Sequence, residues 1–145
     1  MKKYKVKCKL VDLEPDNYHL TIKGKVAGSP VNLVVDTGAS QTCFDFQIVN
    51  ILGEHDTLIE EYEGLKVGIG GSAIDSKFTS IPLFQIGRLK IKNFPVVLLD
   101  LTHVNEAYNS MKLPHIDGIL GSDFFVAYNA IIDYENRELW FSIKK

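Results

Sequence analysis

Val31 to Val35, a mostly apolar run, leads straight into Asp36-Thr37-Gly38. Val34 and Val35 are side chains that a core strand buries, yet a carboxylate follows, then a hydroxyl, then a glycine. Two readings fit. The triplet closes a plain surface turn, or the strand carries a reactive carboxylate to a partly desolvated place, where its chemistry changes. Asp-Thr-Gly alone is a weak signal, because a chain of ordinary composition can hold one by chance. The β-branched pair before it and Ala39-Ser40 after it make coincidence rarer.

Strand signals dominate around this segment. Tyr4, Val6, Cys8 and Leu10 alternate with lysines, and period two predicts one strand over Tyr4–Leu10 with a solvated lysine face, at the edge of a sheet. Tyr18, Leu20, Ile22 and Val26 predict a second strand, Ala27 to Pro30 a turn, and Val31–Val35 a third strand, so that the pair forms a hairpin. Phe44–Gly53 reads as a short helix stopped by Gly53. The acidic residues Glu54, Asp56, Glu60, Glu61 and Glu63 read as a solvated loop or strand face. Ile81–Leu101 predicts two strands turning near Gly87, with Pro95 at an edge or a strand start. Val104–Lys112 predicts a short helix. Gly118–Tyr128 predicts a buried strand and then a helix capped by Ser122 or Asp123. Ala130–Ile143 predicts a closing hairpin turning near Glu135-Asn136. The fold class expected is mainly β, a small closed or folded-over sheet with two or three short helices.

Composition narrows the function classes. The 145 residues suit a single domain, 1–145, with one core; 46% are apolar and 23% charged, as in ordinary globular proteins. Sixteen basic residues against 18 acidic ones leave a formal charge of −2, without the footprint of a nucleic-acid or anionic-membrane binder. Cys8 and Cys43 make no disulfide framework and read as free thiols. No apolar run reaches the roughly 18 residues of a membrane-spanning helix. No h-region follows the basic start, so the sequence as it stands predicts a cytoplasmic location, with secretion or a periplasmic location open if it is part of a longer chain. Of His19, His55, His103 and His115, only the last has a close partner, Asp117; no zinc spacing occurs, and no metal or cofactor is expected. There is no Gly-x-Ser-x-Gly elbow for a serine nucleophile.

The order of parts carries more than any one of them. A strand, Asp-Thr-Gly-Ala-Ser, a glycine-rich segment at Val67–Ser72 and then Ile119-Leu120-Gly121-Ser122-Asp123 before a helix resemble the retropepsin-like aspartic proteases, including bacterial ones. The resemblance spans about Tyr18 to Ile143. It implies a closed β-barrel of the retropepsin type and an endopeptidase in which Asp36 is catalytic. In that family the threonine matching Thr37 ties two catalytic loops together across a two-fold axis. Gly38 permits close backbone approach and can offer its N–H to the carboxylate. Ser40 would orient Asp36 or touch substrate backbone, with Ala39 beside it in the loop. Ile119, Leu120 and Gly121 would pack beneath the loop. Gly68, Ile69, Gly70 and Gly71 would form a flap over substrate, against the alternative of an ordinary hairpin turn.

Metal-free peptide hydrolysis needs a base to activate water and an acid to protonate the departing amine. Two adjacent carboxylates sharing one proton can do both. This chain has one Asp-Thr-Gly and no second. The resemblance therefore implies a homodimer acting on an extended peptide, with the Lys-rich first strand and the Trp140-bearing last strand as candidate interface. Ala39 stands where pepsin-type enzymes often carry serine, which predicts a less acidic pH optimum. Ser40 replaces the aspartate common in retroviral enzymes, so their backbone contacts to substrate do not transfer directly. The other class open to this sequence is a catalytically silent peptide-binding or dimerisation module on the same fold.

Overall fold

The computed structural model describes residues 2–52, 60–61 and 77–143. Strands β1 (Lys2–Lys7), β2 (Lys9–Glu14), β3 (Asn17–Val26), β4 (Ser29–Val35) and β5 (Cys43–Asp45) precede a 3-10 turn at Phe46–Ile48 and helix α1 (Val49–Leu52). Then come β6 (Glu60–Glu61), β7 (Lys77–Ile86), β8 (Leu89–Leu99), α2 (Thr102–Ser110), β9 (Gly118–Leu120), α3 (Ser122–Ala127), β10 (Ile131–Asp133) and β11 (Glu138–Ile143). The sheet order β3-β4-β9-β5-β8-β7 closes on itself through pairing of Lys25 and Val26 with Gln85 and Phe84, giving a six-stranded barrel. Closure leaves no free edge along that ring. Among the described residues, no helix is long and apolar enough to cross a membrane.

The β3–β4 hairpin forms as expected, but its turn is tighter. Ala27 and Gly28 alone make it, both left-handed with φ of 49° and 84°, and Ser29 already pairs with Val26. Such a two-residue turn matches the natural twist of the strands it joins. β4 buries both faces: Val31 and Leu33 enter the barrel core, and Val34 packs with Val11, Leu101, Tyr108 and Ile116 outside it. That double burial explains the nearly continuous apolar run before Asp36.

Several expectations change. Tyr4–Leu10 is not one strand: the chain breaks at Cys8, because β1 pairs with β11 while β2 pairs with β3. The break is anchored by Cys8 N–H donating to the Arg137 carbonyl at 2.8 Å. β1 is an edge strand, with Lys3, Lys5 and Lys7 exposed. The helix expected over Phe44–Gly53 begins instead as β5, which pairs with β8 on one side and β9 on the other, so tertiary pairing overrides local pattern. Gly53 lies outside the described residues. Pro95 is inside β8, exposed, and lies ahead of the stretch where β8 begins to pair with β5. The Gly87 turn and the closing hairpin appear where expected.

The main core runs through the barrel and out under the three-stranded sheet β1-β11-β10. Phe124 of α3 joins the two, its ring 6.4 Å from Phe94 and 5.6 Å from Phe141. A helix as short as α3 is held by that buried ring rather than by its own hydrogen bonds.

Candidate active site

β4 ends by handing its hydrogen-bond register to the loop that follows. β4 runs parallel to β9, pairing Val34 with Ile119 and Val35 with Leu120. The next residue continues the ladder: Asp36 N–H donates to the Leu120 carbonyl at 3.1 Å. Gly38 N–H donates to Asp36 Oδ1 at 2.8 Å, and Ala39 N–H donates to the Asp36 carbonyl at 3.2 Å. The carboxylate is thereby fixed through one oxygen. Asp36, Thr37, Gly38 and Ser40 are exposed, and Ala39 is half-buried.

The floor of the loop is Ile119-Leu120-Gly121. Leu120 is fully buried in the barrel core, while Ile119 packs against the outer cluster. Gly121 is glycine because of space: a Cβ there would lie 2.8 Å from the Ala39 carbonyl oxygen. Ser122 N–H donates to that same carbonyl at 2.8 Å, so α3 begins hydrogen-bonded to the loop. The Ser40 carbonyl accepts from Ser122 Oγ at 3.4 Å. The glycines Gly68, Gly70 and Gly71, with Ile69, lie outside the described residues.

Two supporting residues escape a reading of the sequence. Thr42 is fully buried, and its Oγ1 donates to Asp123 Oδ1 at 2.8 Å while accepting from Gly121 N–H at 3.0 Å. Asp123 Oδ1 also accepts from Thr42 N–H at 3.0 Å and Phe124 N–H at 2.9 Å. This bridge ties the outgoing end of the loop to the start of α3. It also corrects the expected helix cap: Gly121 holds that position, no side chain caps the helix, and Asp123 in the first turn faces the loop instead. The clue present in the sequence was a Thr shortly after Asp-Thr-Gly and an Asp shortly after Leu-Gly; only the fold shows that they meet.

The other polar groups nearby have structural surroundings. Burial pushes the Cys43 thiol up to about 11, with the charges of Asp36 and Asp123 raising it further and a hydrogen bond from the Ile119 backbone lowering it. Cys43 is thus a neutral thiol at physiological pH rather than a nucleophile. Both cysteines are free. His19 is not a surface residue: half-buried on β3, its Nδ1 lies 2.8 Å from the Tyr108 hydroxyl. His103 and His115 are exposed, and His55 lies outside the described residues. No group of three His, Cys, Asp or Glu side chains that could hold a metal occurs among the described residues.

A closed six-stranded barrel with an Asp-Thr-Gly loop seated on a Leu-Gly turn defines the retropepsin-like class. Comparison with solved structures agrees. The fold matches a retropepsin-like aspartic protease from Rickettsia conorii with a TM-score of 0.60 at 14% identity, over 98% of this chain and 91% of that one. It matches the retroviral protease-like domain of Ddi1 from Leishmania major with a TM-score of 0.52 at 17% identity, over 81% and 82% of the two chains. EIAV protease in complex with the inhibitor HBY-793 matches with a TM-score of 0.50 at 20% identity, over 80% and 92%. No curated protein matches in sequence. The family model for aspartyl proteases matches residues 22–124, well over half of the chain, and this chain belongs to that family.

Proposed function

We propose that the chain, residues 1–145 forming one domain, is an aspartic endopeptidase that works as a homodimer. The observation that carries this is the state of Asp36. One carboxylate oxygen is held by Gly38 N–H, and the residue stands exposed at the end of a doubly buried strand, one copy per chain. A single carboxylate cannot be acid and base at once. Two, related by a two-fold axis, can.

In this reading a water molecule lies between the two Asp36 carboxylates, which share one proton. The ionised carboxylate takes a proton from water as its oxygen attacks the scissile carbonyl carbon. The protonated partner gives its proton to the carbonyl oxygen, forming a gem-diol. Collapse of the diol breaks the C–N bond, and a proton passes to the departing nitrogen. Thr37 binds across the axis and holds the loops in register. Ala39 and Ser40 border the bound peptide. The substrate is an extended peptide, and no cofactor takes part.

The test is cleavage of a peptide library by wild type and by Asp36→Asn. We expect the wild type to cleave and the variant to lose at least about 1,000-fold, as removal of a catalytic group does. Cleavage that survives Asp36→Asn refutes the mechanism. Cleavage absent from both favours a peptide-binding or dimerisation module.

A further inference from the structure

A groove of about 540 Å³ lies over β2 and β3, and neither Asp36, Thr37 nor Gly38 lines it. Two features wall it. One is the turn at Gly87, where an added Cβ would lie 2.7 Å from Val6 Cγ1, so the turn packs directly on β1. The other is Tyr108 of α2 together with Pro114. The floor is apolar: Val11 and Tyr108 are buried, and the Tyr108 hydroxyl is already engaged by His19 Nδ1 at 2.8 Å. The charges around it have one sign, in a chain whose net charge is −2. Lys7, Lys9 and Lys23 line the groove, and among the described residues no Asp or Glu does. Lys7 shares Glu138 with Lys5, at 3.9 and 3.2 Å. Among the described residues, Lys9 and Lys23 have no acidic partner. Strand register brings these two together. Lys9 pairs with Thr21, and Lys23 follows Thr21 by two residues on the same face. Diagonal neighbours of this kind stand about 7–8 Å apart, within reach of long side chains. Thr21 lies between them, and its hydroxyl has no hydrogen-bond partner among the described residues. Two ammonium groups so placed repel each other, and one anion between them satisfies both.

We propose that this groove binds a small anionic amphiphile, a carboxylate on an apolar chain. Lys9, Lys23 and the Thr21 hydroxyl hold the carboxylate, and the chain lies over Val11 and Tyr108. The inference does not depend on the protease reading, since the groove and the Asp36 loop share no residue. The volume falls within the range of small-ligand sites, and so does the design, an apolar lining with a few polar groups that fix orientation. The two halves of the groove require both halves of the ligand. An anion without a chain leaves the apolar floor uncovered, and a chain without an anion leaves the lysines opposed. A peptide strand is the poorer occupant. Thr21 pairs with Lys9 of β2 on one side and Val34 of β4 on the other, so its backbone is committed within the sheet and offers no ladder to an added strand.

The probe is decanoate, held below its micellar concentration. Three comparators separate its parts: acetate has the head alone, decyltrimethylammonium has the chain with the opposite charge, and hexaglutamate has the charge on a peptide. Calorimetry reads affinity and amide NMR reads position. We expect one decanoate per chain, saturating with a Kd of about 100 μM or below and moving the signals of Lys9, Thr21 and Lys23, with each comparator at least about 10-fold weaker. Lys9→Met/Lys23→Met keeps the stems, removes both charges and should weaken decanoate about 10-fold or more. Lys90→Met/Lys92→Met makes the same change at two exposed residues of β8 and should leave binding unchanged. Circular dichroism checks folding. Should the Lys9/Lys23 variant not fold, wild-type affinity at about 20 mM and about 500 mM salt replaces it, and we expect it to weaken several-fold at the higher salt. The proposal is overturned by decanoate that does not bind, that moves signals elsewhere, or that binds the Lys9/Lys23 variant as well as wild type, and equally by affinity that ignores salt. Acetate or decyltrimethylammonium binding as well as decanoate overturns it too. Hexaglutamate binding there more tightly overturns it in favour of an acidic protein segment.

Discussion

Thr42 and Asp123 show how much of the candidate catalytic loop is held by residues outside its motif. Thr42 Oγ1 is both donor and acceptor, bridging Asp123 Oδ1 and Gly121 N–H with no access to water. Thr42→Val keeps the volume and removes both bonds, leaving a buried N–H without a partner. We expect a loss of about 2–4 kcal/mol in urea unfolding. Asp123→Asn keeps an oxygen acceptor and should lose about 1 kcal/mol, while Asp123→Ala should match Thr42→Val. In the proposed dimeric protease these losses should appear in kcat by about 10- to 100-fold with KM nearly constant, and Asn should rescue what Ala loses. Cys43 makes a second, pH-based prediction. Its folded value of about 11 stands above the ordinary 9.0, so the unfolded chain gives up its proton first. The linked stability is complete below pH 9 and falls as pH rises toward 11. Cys43→Ala should flatten that part of the stability profile. Iodoacetamide at pH 8 should label Cys43 only in denaturant, as mass spectrometry would show.

At the scale of elements, the turn between β10 and β11 depends on one carboxylate. Asp133 Oδ1 accepts from Asn136 N–H at 2.9 Å and Oδ2 from Asn136 Nδ2 at 2.8 Å. These bonds hold its carboxyl below the usual range, the backbone bond first. A depressed value contributes stability above the unfolded pKa, lost as pH falls through the folded one. The Tm difference between wild type and Asp133→Ala should therefore shrink as pH falls below about 4. Equal differences at pH 7 and pH 2 would contradict it. The elements also show where local pattern fails. β3 and β4 were legible because their alternation and turn residues are local. β5 was not: Cys43-Phe44-Asp45 are all buried, and what makes them a strand is pairing with β8 and β9, which are distant in the chain. The Cys8 break was hidden for the same reason, since alternation continues across it while the partner changes.

At the scale of the molecule, a dyad assembled from two chains makes activity depend on concentration. Once most of the protein is dissociated, the total cleavage rate should fall as the square of protein concentration and the specific activity in proportion to it, and mixing wild type with excess Asp36→Asn should inhibit cleavage. A specific activity constant over dilution through the dissociation range would count against the two-chain site. The barrel class and Asp36, Thr37 and Gly38 in one loop were readable from residue order alone. A strand, a glycine turn and a Leu-Gly support are chemical requirements that adjacent residues write directly. What the tertiary structure decided is different in kind. It closed the barrel through β3 and β7, brought Thr42 to Asp123 and turned Asp123 from cap to tie. Each of these joins residues far apart in the chain. Local sequence constrains each partner's type, but the hydrogen bond or packed face that makes them a pair exists only once the backbone has brought them within reach.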